Sequence, residues 1–91
     1  MAVELDEARH RFTVTMPEGG GELRYHPRPD GVWELYHSEV DPGLRGRGVA
    51  SELAQAAFDH ARARGIKVRV TCPYVTGWLA KHPEQRDVVV A

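Results

Sequence analysis

The densest chemistry in the chain lies in Leu44-Arg45-Gly46-Arg47-Gly48-Val49-Ala50-Ser51. Two glycines alternate with two arginines just before a stretch of helical periodicity. The first N–H groups of a helix have no partner of their own, and Gly46 and Gly48 leave room for a ligand to reach them. Arg45 and Arg47 add forked, charged donors, and the positive end of the helix dipole points the same way. The segment is expected to hold an anion, and a diphosphate could come within hydrogen-bonding distance of its backbone.

Three further positions could do chemistry. Cys72, just before Pro73, is placed as the N-cap of a short helix, where the dipole favours the nucleophilic thiolate. A small buried apolar side chain is the other reading of that cysteine. His37 and Glu39, two residues apart on one strand, could each take a proton from an ammonium group, directly or through water; a solvated strand face explains them as well. Tyr74 could donate a proton or simply pack on a sheet. His10, His26, His60 and His82 lack a ligand spacing such as a helical i, i+4 pair, so no metal is expected.

These residues need elements to position them. Phe12–Met16 and Glu22–His26 alternate apolar and polar residues as half-buried strands do, with Pro17–Gly21 read as the turn between them. Pro27–Gly31 makes a second turn, and Val32–Val40 a longer strand. Strict alternation puts Val32, Tyr36 and Val40 on one face of it and Trp33, Leu35, His37 and Glu39 on the other. After Asp41-Pro42-Gly43 the period changes. Val49, Leu53, Ala57, Phe58 and Ala61 share a helical face, and Gly65 is the expected C-cap. Ile66–Val70 returns to strand alternation, Pro73–Lys81 reads as a short helix, and Val88–Val90 as a terminal strand or a packing segment. The strand after the helix should run parallel to the one before it, through a right-handed crossover.

A length of 91 residues implies one domain, residues 1–91, with one modest core. A net charge of -1 gives no footprint for nucleic acid or an anionic membrane. The single cysteine excludes an internal disulfide and suits a reduced, cytoplasmic setting. The acidic N-terminus reads as no targeting segment, and a monomer is expected.

Among nucleotide loops, the phosphate loop requires Lys-Ser/Thr where Val49-Ala50 stands. The dinucleotide fingerprint is nearly met by Gly46–Ser51, but the next strand ends Val70-Thr71-Cys72 without the acid that would hold a ribose. The pattern R-x-x-G-x-A is met by Arg45, Gly48 and Ala50. Together with His37-Ser38-Glu39-Val40 and with Cys72-Pro73-Tyr74-Val75 continuing through Trp78-Leu79 to Lys81-His82-Pro83-Glu84, it resembles the GNAT superfamily of acyl-CoA N-acyltransferases. More narrowly, the chain is similar to a short stand-alone branch of that superfamily, over about Phe12 to Val89.

The resemblance implies a minimal α+β fold: an antiparallel meander, a helical crossover to a parallel strand, and a short C-terminal helix. It implies acetyl-CoA as acyl donor, with Val40, Leu44, Arg45, Gly46, Arg47, Gly48, Val49, Ala50, Ser51 and Tyr74 around it, and an unidentified amine as acceptor. Cys72 corresponds to a cysteine implicated in catalysis in that branch, with His37 and Glu39 as candidate bases. Larger members build an acceptor pocket from helices and strands that this chain lacks. An open acceptor side would suit a bulky or protein amine, or a module that binds acyl-CoA without turnover.

Overall fold

The first forty residues form four antiparallel strands. They are β1 (Glu4–Asp6), β2 (Arg11–Met16), β3 (Gly19–Pro27) and β4 (Trp33–Val40). A crossover helix, α1 (Val49–Arg64), leads to β5 (Val68–Val70), which pairs with β4 in parallel, so the five strands lie in chain order in one sheet. A second helix, α2 (Pro73–Lys81), follows. This is the computed structural model of the chain, which describes residues 2–90. The architecture is the expected α+β one.

The apolar stripe of α1 is the reason it docks. Val49, Leu53, Ala57, Phe58 and Ala61 are all buried, against Phe12, Val14, Leu23, Tyr25 and Leu35 of the sheet. Gly65 ends the helix in the left-handed region at φ 67°, donating its N–H to carbonyls of the last turn. Val75, Trp78 and Leu79 of α2 bury on the same side, where the Trp78 ring lies 5.2 Å from Phe58 and its Nε1–H donates to Ser51 Oγ at 3.0 Å. Both helices therefore cover one face of the sheet. Among the described residues no helix is long and apolar enough to cross a membrane.

Three expectations are corrected. First, an edge strand, β1, precedes the meander; its three residues are too short to show a period. Second, Gly19–Gly21 is not turn but strand, paired with Met16, Thr15 and Val14. The glycines there serve close approach: a Cβ on Gly21 would stand 2.9 Å from Val49 Cγ1, so its absence lets α1 settle on the sheet. Third, β4 does not alternate throughout. His37 pairs with Arg24 but Leu35 with Tyr25, which leaves Tyr36 as an extra residue in a bulge. Trp33 and Leu35 share the helix face with Ser38 and Val40, not with His37 and Glu39. Of the two readings of the terminal valines, the packing one holds: Pro83–Val88 is a 3-10 helix, Val88 is buried, and Val89 makes a single parallel bridge to Val68 rather than a full strand.

Candidate functional site

The loop after β4 enters α1 as its residue types require. Gly46 and Gly48 both sit in the left-handed region, at φ 79° and 78°, and Gly48 is the N-cap with no side chain to cap the helix. The orphan N–H groups of the first turn are thus left for a ligand. A Cβ at either glycine would meet nothing within 4 Å, so the cradle is open space in front of the backbone.

That cradle is one end of a cleft of about 270 Å³ lined by Val40, Leu44, Arg45, Gly46, Gly48, Val49, Ala50, Ser51 and Tyr74. Nine of the ten residues expected to hold the acyl donor are brought together there. Arg47 is the tenth. It turns away to Glu18 on the β2–β3 hairpin, at 3.5 Å.

At its other end the cleft reaches Val40, the last residue of β4. Pairing with β5 stops at Leu35, whose carbonyl accepts N–H bonds from both Thr71 and Cys72 at 3.0 Å. Beyond that point β5 departs towards α2 and the two strands splay. On the other edge of β4, Asp41 donates its N–H to Gly20 O at 2.9 Å. In an antiparallel ladder alternate residues face the partner strand, so Glu39 and His37 also bond towards β3. The main-chain groups of Ser38 and Val40 consequently face the splay. Arg45 Nε reaches the Val40 carbonyl at 3.4 Å, tying the loop to the strand edge.

Cys72 is the N-cap of α2, as expected, and is only 2% exposed. Its S–H donates to Ser38 Oγ at 3.6 Å. Tyr74, 40% exposed, stands beside it; partial burial pushes its hydroxyl pKa up, against a hydrogen bond with Ser51 that pulls it down.

His37 and Glu39 do share a face, but the structure does not bring them to Cys72. The bulge at Tyr36 turns them onto the sheet face that carries no helix, where both are exposed. There they meet Glu22, and the three side chains bring potential ligand atoms within 4.8 Å of one another. Glu22 lies directly opposite Glu39 in the ladder. Like charges so placed repel, and Arg11 at 3.0 Å and Arg24 at 2.6 Å offset the charge of Glu22. A shallow groove of about 250 Å³ runs past Thr13, Thr15, Glu22, Glu39 and Asp41 on this face. Sequence reasoning missed Ser38 and Glu22. The first needs the bulge and the second the strand register, and neither leaves a local motif.

The family follows from comparison with known proteins. A family model described as GCN5-related N-acetyl-transferase matches residues 11–88. Protein NATD1 of Homo sapiens is 34% identical over 83 residues, which cover 89% of this chain and 74% of that protein. Protein NATD1 of Gallus gallus is also 34% identical, over 89% of this chain and 76% of its own length. The solution NMR structure of a GCN5-like protein from Staphylococcus aureus shares the fold, with a TM-score of 0.76 at 24% identity, covering 99% of this chain and 88% of that one. The matched residues contain the splayed strands, the glycine loop and the segment from Cys72 onward, and the chain belongs to the GCN5-related N-acetyltransferase family.

Proposed function

We propose that the chain is an acetyl-CoA-dependent N-acetyltransferase that passes the acetyl group directly to an amine. One observation carries this reading: the open glycine cradle at the start of α1 and Val40, at the end of the β4 edge that β5 leaves, line a single cleft. Gly46 to Ala50 would hold the diphosphate, with Arg45 and, once released from Glu18, Arg47 adding charge. The Ser38 and Val40 main-chain groups would pair with the pantetheine arm, and an N–H among them would polarise the thioester carbonyl and stabilise the developing oxyanion.

The amine approaches from the uncovered sheet face, where Glu39 or His37 takes its proton. Its nitrogen then bonds to the carbonyl carbon, the C–S bond breaks, and the second nitrogen proton passes to the departing thiolate, so CoA leaves as the thiol. The openness of that face suits a bulky or protein-borne amine. Cys72 is a poor first nucleophile in this arrangement: it is buried, and its side-chain partner is a hydroxyl rather than a base. Its place at a helix N-terminus is the one feature in favour of an acyl-cysteine route.

Two measurements test the reading. Calorimetry should show CoA binding that Gly48→Asp abolishes, because the new carboxylate occupies the cradle and repels phosphate. Thiol release from acetyl-CoA should then appear with some member of an amine panel that includes lysine-bearing proteins. Binding without release from any acceptor would mark the chain as an acyl-CoA-binding module instead.

A further inference from the structure

We propose that the outer edge of β5 is a docking site for an extended segment of a partner protein in which acidic residues alternate with apolar ones. The site is separate from the acyl-donor cleft and shares no lining residue with it.

The edge is open because β5 is used on one side only. Lys67 O accepts from Trp33 N–H, and Thr71 N–H donates to Leu35 O, each at 3.0 Å. Alternate residues of β5 thus turn their main chain to β4, and Val68 and Val70 turn theirs outward. Val89 bridges to Val68, and Val90 N–H donates to Val68 O at 2.9 Å. Among the described residues nothing pairs with the outward main chain of Val70. An N–H and a C=O left at a sheet edge are a template for another extended chain.

Beside that edge lies a groove of about 350 Å³. Leu79, Val89 and Val90 make part of its wall apolar, Arg69 and Arg86 supply charge, and no lining residue is acidic. Val68 is in the core, so strand alternation sends Arg69 to the uncovered face and returns Val70 to the helix side. Neither arginine makes an ion pair among the described residues. Glu34 stands opposite Arg69 in the ladder, but Arg28 and Thr71 hold its carboxylate.

Charges of one sign at an edge keep other strands away. Here they also select, because two unpaired guanidiniums repel a basic segment and attract one that carries carboxylates. Side chains of a strand alternate between its two faces. An apolar residue of the incoming segment enters the groove against Leu79, its acidic neighbours meet Arg69 on the other face, and its main chain pairs with Val70. Arg86 adds a second cation to the same groove.

NMR titration of the full chain at low salt with acetyl-Gly-Glu-Val-Glu-Val-Glu-Gly-amide tests this. The peptide should shift the amide signals of Val70, Leu79 and Val89 and leave those of Gly46 and Gly48 in place. A Kd of about 0.1–1 mM is expected, the weak range for a short strand that must be ordered on binding. The counterpart with lysine for glutamate should bind at least about tenfold more weakly. Arg69→Glu combined with Arg86→Glu should exchange that preference, which a misfolded protein could not do. Absence of shifts at millimolar peptide, equal binding of the two peptides, or an unchanged preference in the double variant would overturn the proposal. So would self-association that the double variant abolishes, since the edge would then belong to a second copy. None of these outcomes bears on acetyl transfer.

Discussion

Cys72 Sγ lies 3.6 Å from Ser38 Oγ on the helix-covered side of β4, while the sequence neighbours of Ser38, His37 and Glu39, stand on the opposite side. The two candidate chemistries thus occupy different faces of one strand, and the base candidates cannot serve the thiol. Direct transfer predicts that Glu39→Gln combined with His37→Gln lowers kcat/KM by about a hundredfold, the lower range for loss of a general base. Cys72→Ala should stay within about threefold of wild type, with its main effect a stability loss of about 1 kcal/mol. Steady-state rates and intact-mass spectra after incubation with acetyl-CoA decide the matter. An acetyl adduct on wild type that disappears, together with turnover, in Cys72→Ala would reverse the assignment.

Gly21 sets how close α1 comes to the sheet. Alanine there would press its Cβ to 2.9 Å from Val49 Cγ1 and 3.4 Å from Leu53 Cδ1. Both side chains are fully packed, so Gly21→Ala should destabilise by about 1–3 kcal/mol in denaturant titrations. Val49 also lines the cleft, so CoA binding should weaken along with stability. A protein of unchanged stability would mean that α1 yields without cost.

Glu18 holds Arg47 at 3.5 Å, away from the glycine cradle. The contact is exposed and worth little by itself, but a carboxylate beside the proposed diphosphate site would also repel the ligand. Glu18→Gln should tighten CoA binding about twofold at low salt, with the gain fading as salt rises. Weaker binding in this variant would show that the pair orders the loop rather than competing with the ligand.

Glu34 accepts hydrogen bonds from the Arg28 guanidinium and, at 2.8 Å, from Thr71 Oγ1, where β5 leaves the sheet. The Arg28 contact, then the Thr71 one, hold its pKa below the ordinary value of 4.5. A carboxyl whose folded pKa is depressed adds stability that is complete above its unfolded pKa and is lost as pH falls through the folded one. The melting-temperature gap between wild type and Glu34→Gln should therefore be constant near neutrality and close below pH 4.5. Asp6 and Asp87 titrate in the same direction, so the gap between the two proteins, not the wild-type curve alone, is the quantity to follow. A gap independent of pH would assign the effect to packing.

Much of the fold was legible because its signals are local. The apolar stripe of α1, its Gly65 stop and the Cys72-Pro73 start of α2 each depend on residues within a turn or two. So does the anion cradle: glycines, arginines and a helix start are enough to specify open N–H groups and positive charge, whatever packs around them. The glycine run at Gly19–Gly21 misled for the complementary reason. Glycine is used both in turns and where another element comes close, and only the position of Val49 across the sheet tells the two apart.

The sequence by itself determined the helix stripe, the order of β2 to β5 and a glycine loop with open N–H groups at a helix start, because period and backbone freedom are written in neighbouring residues. The tertiary structure alone decided how β4 divides its labour. One extra residue, Tyr36, shifts the pairing with β3, and with a period of two that shift exchanges both the faces and the edges of all that follows. It turns the Ser38 and Val40 main chain towards the splay and places Ser38 against Cys72. It sends His37 and Glu39 to the uncovered face beside Glu22. No pattern within β4 announces the bulge, since it exists only in the register between two strands.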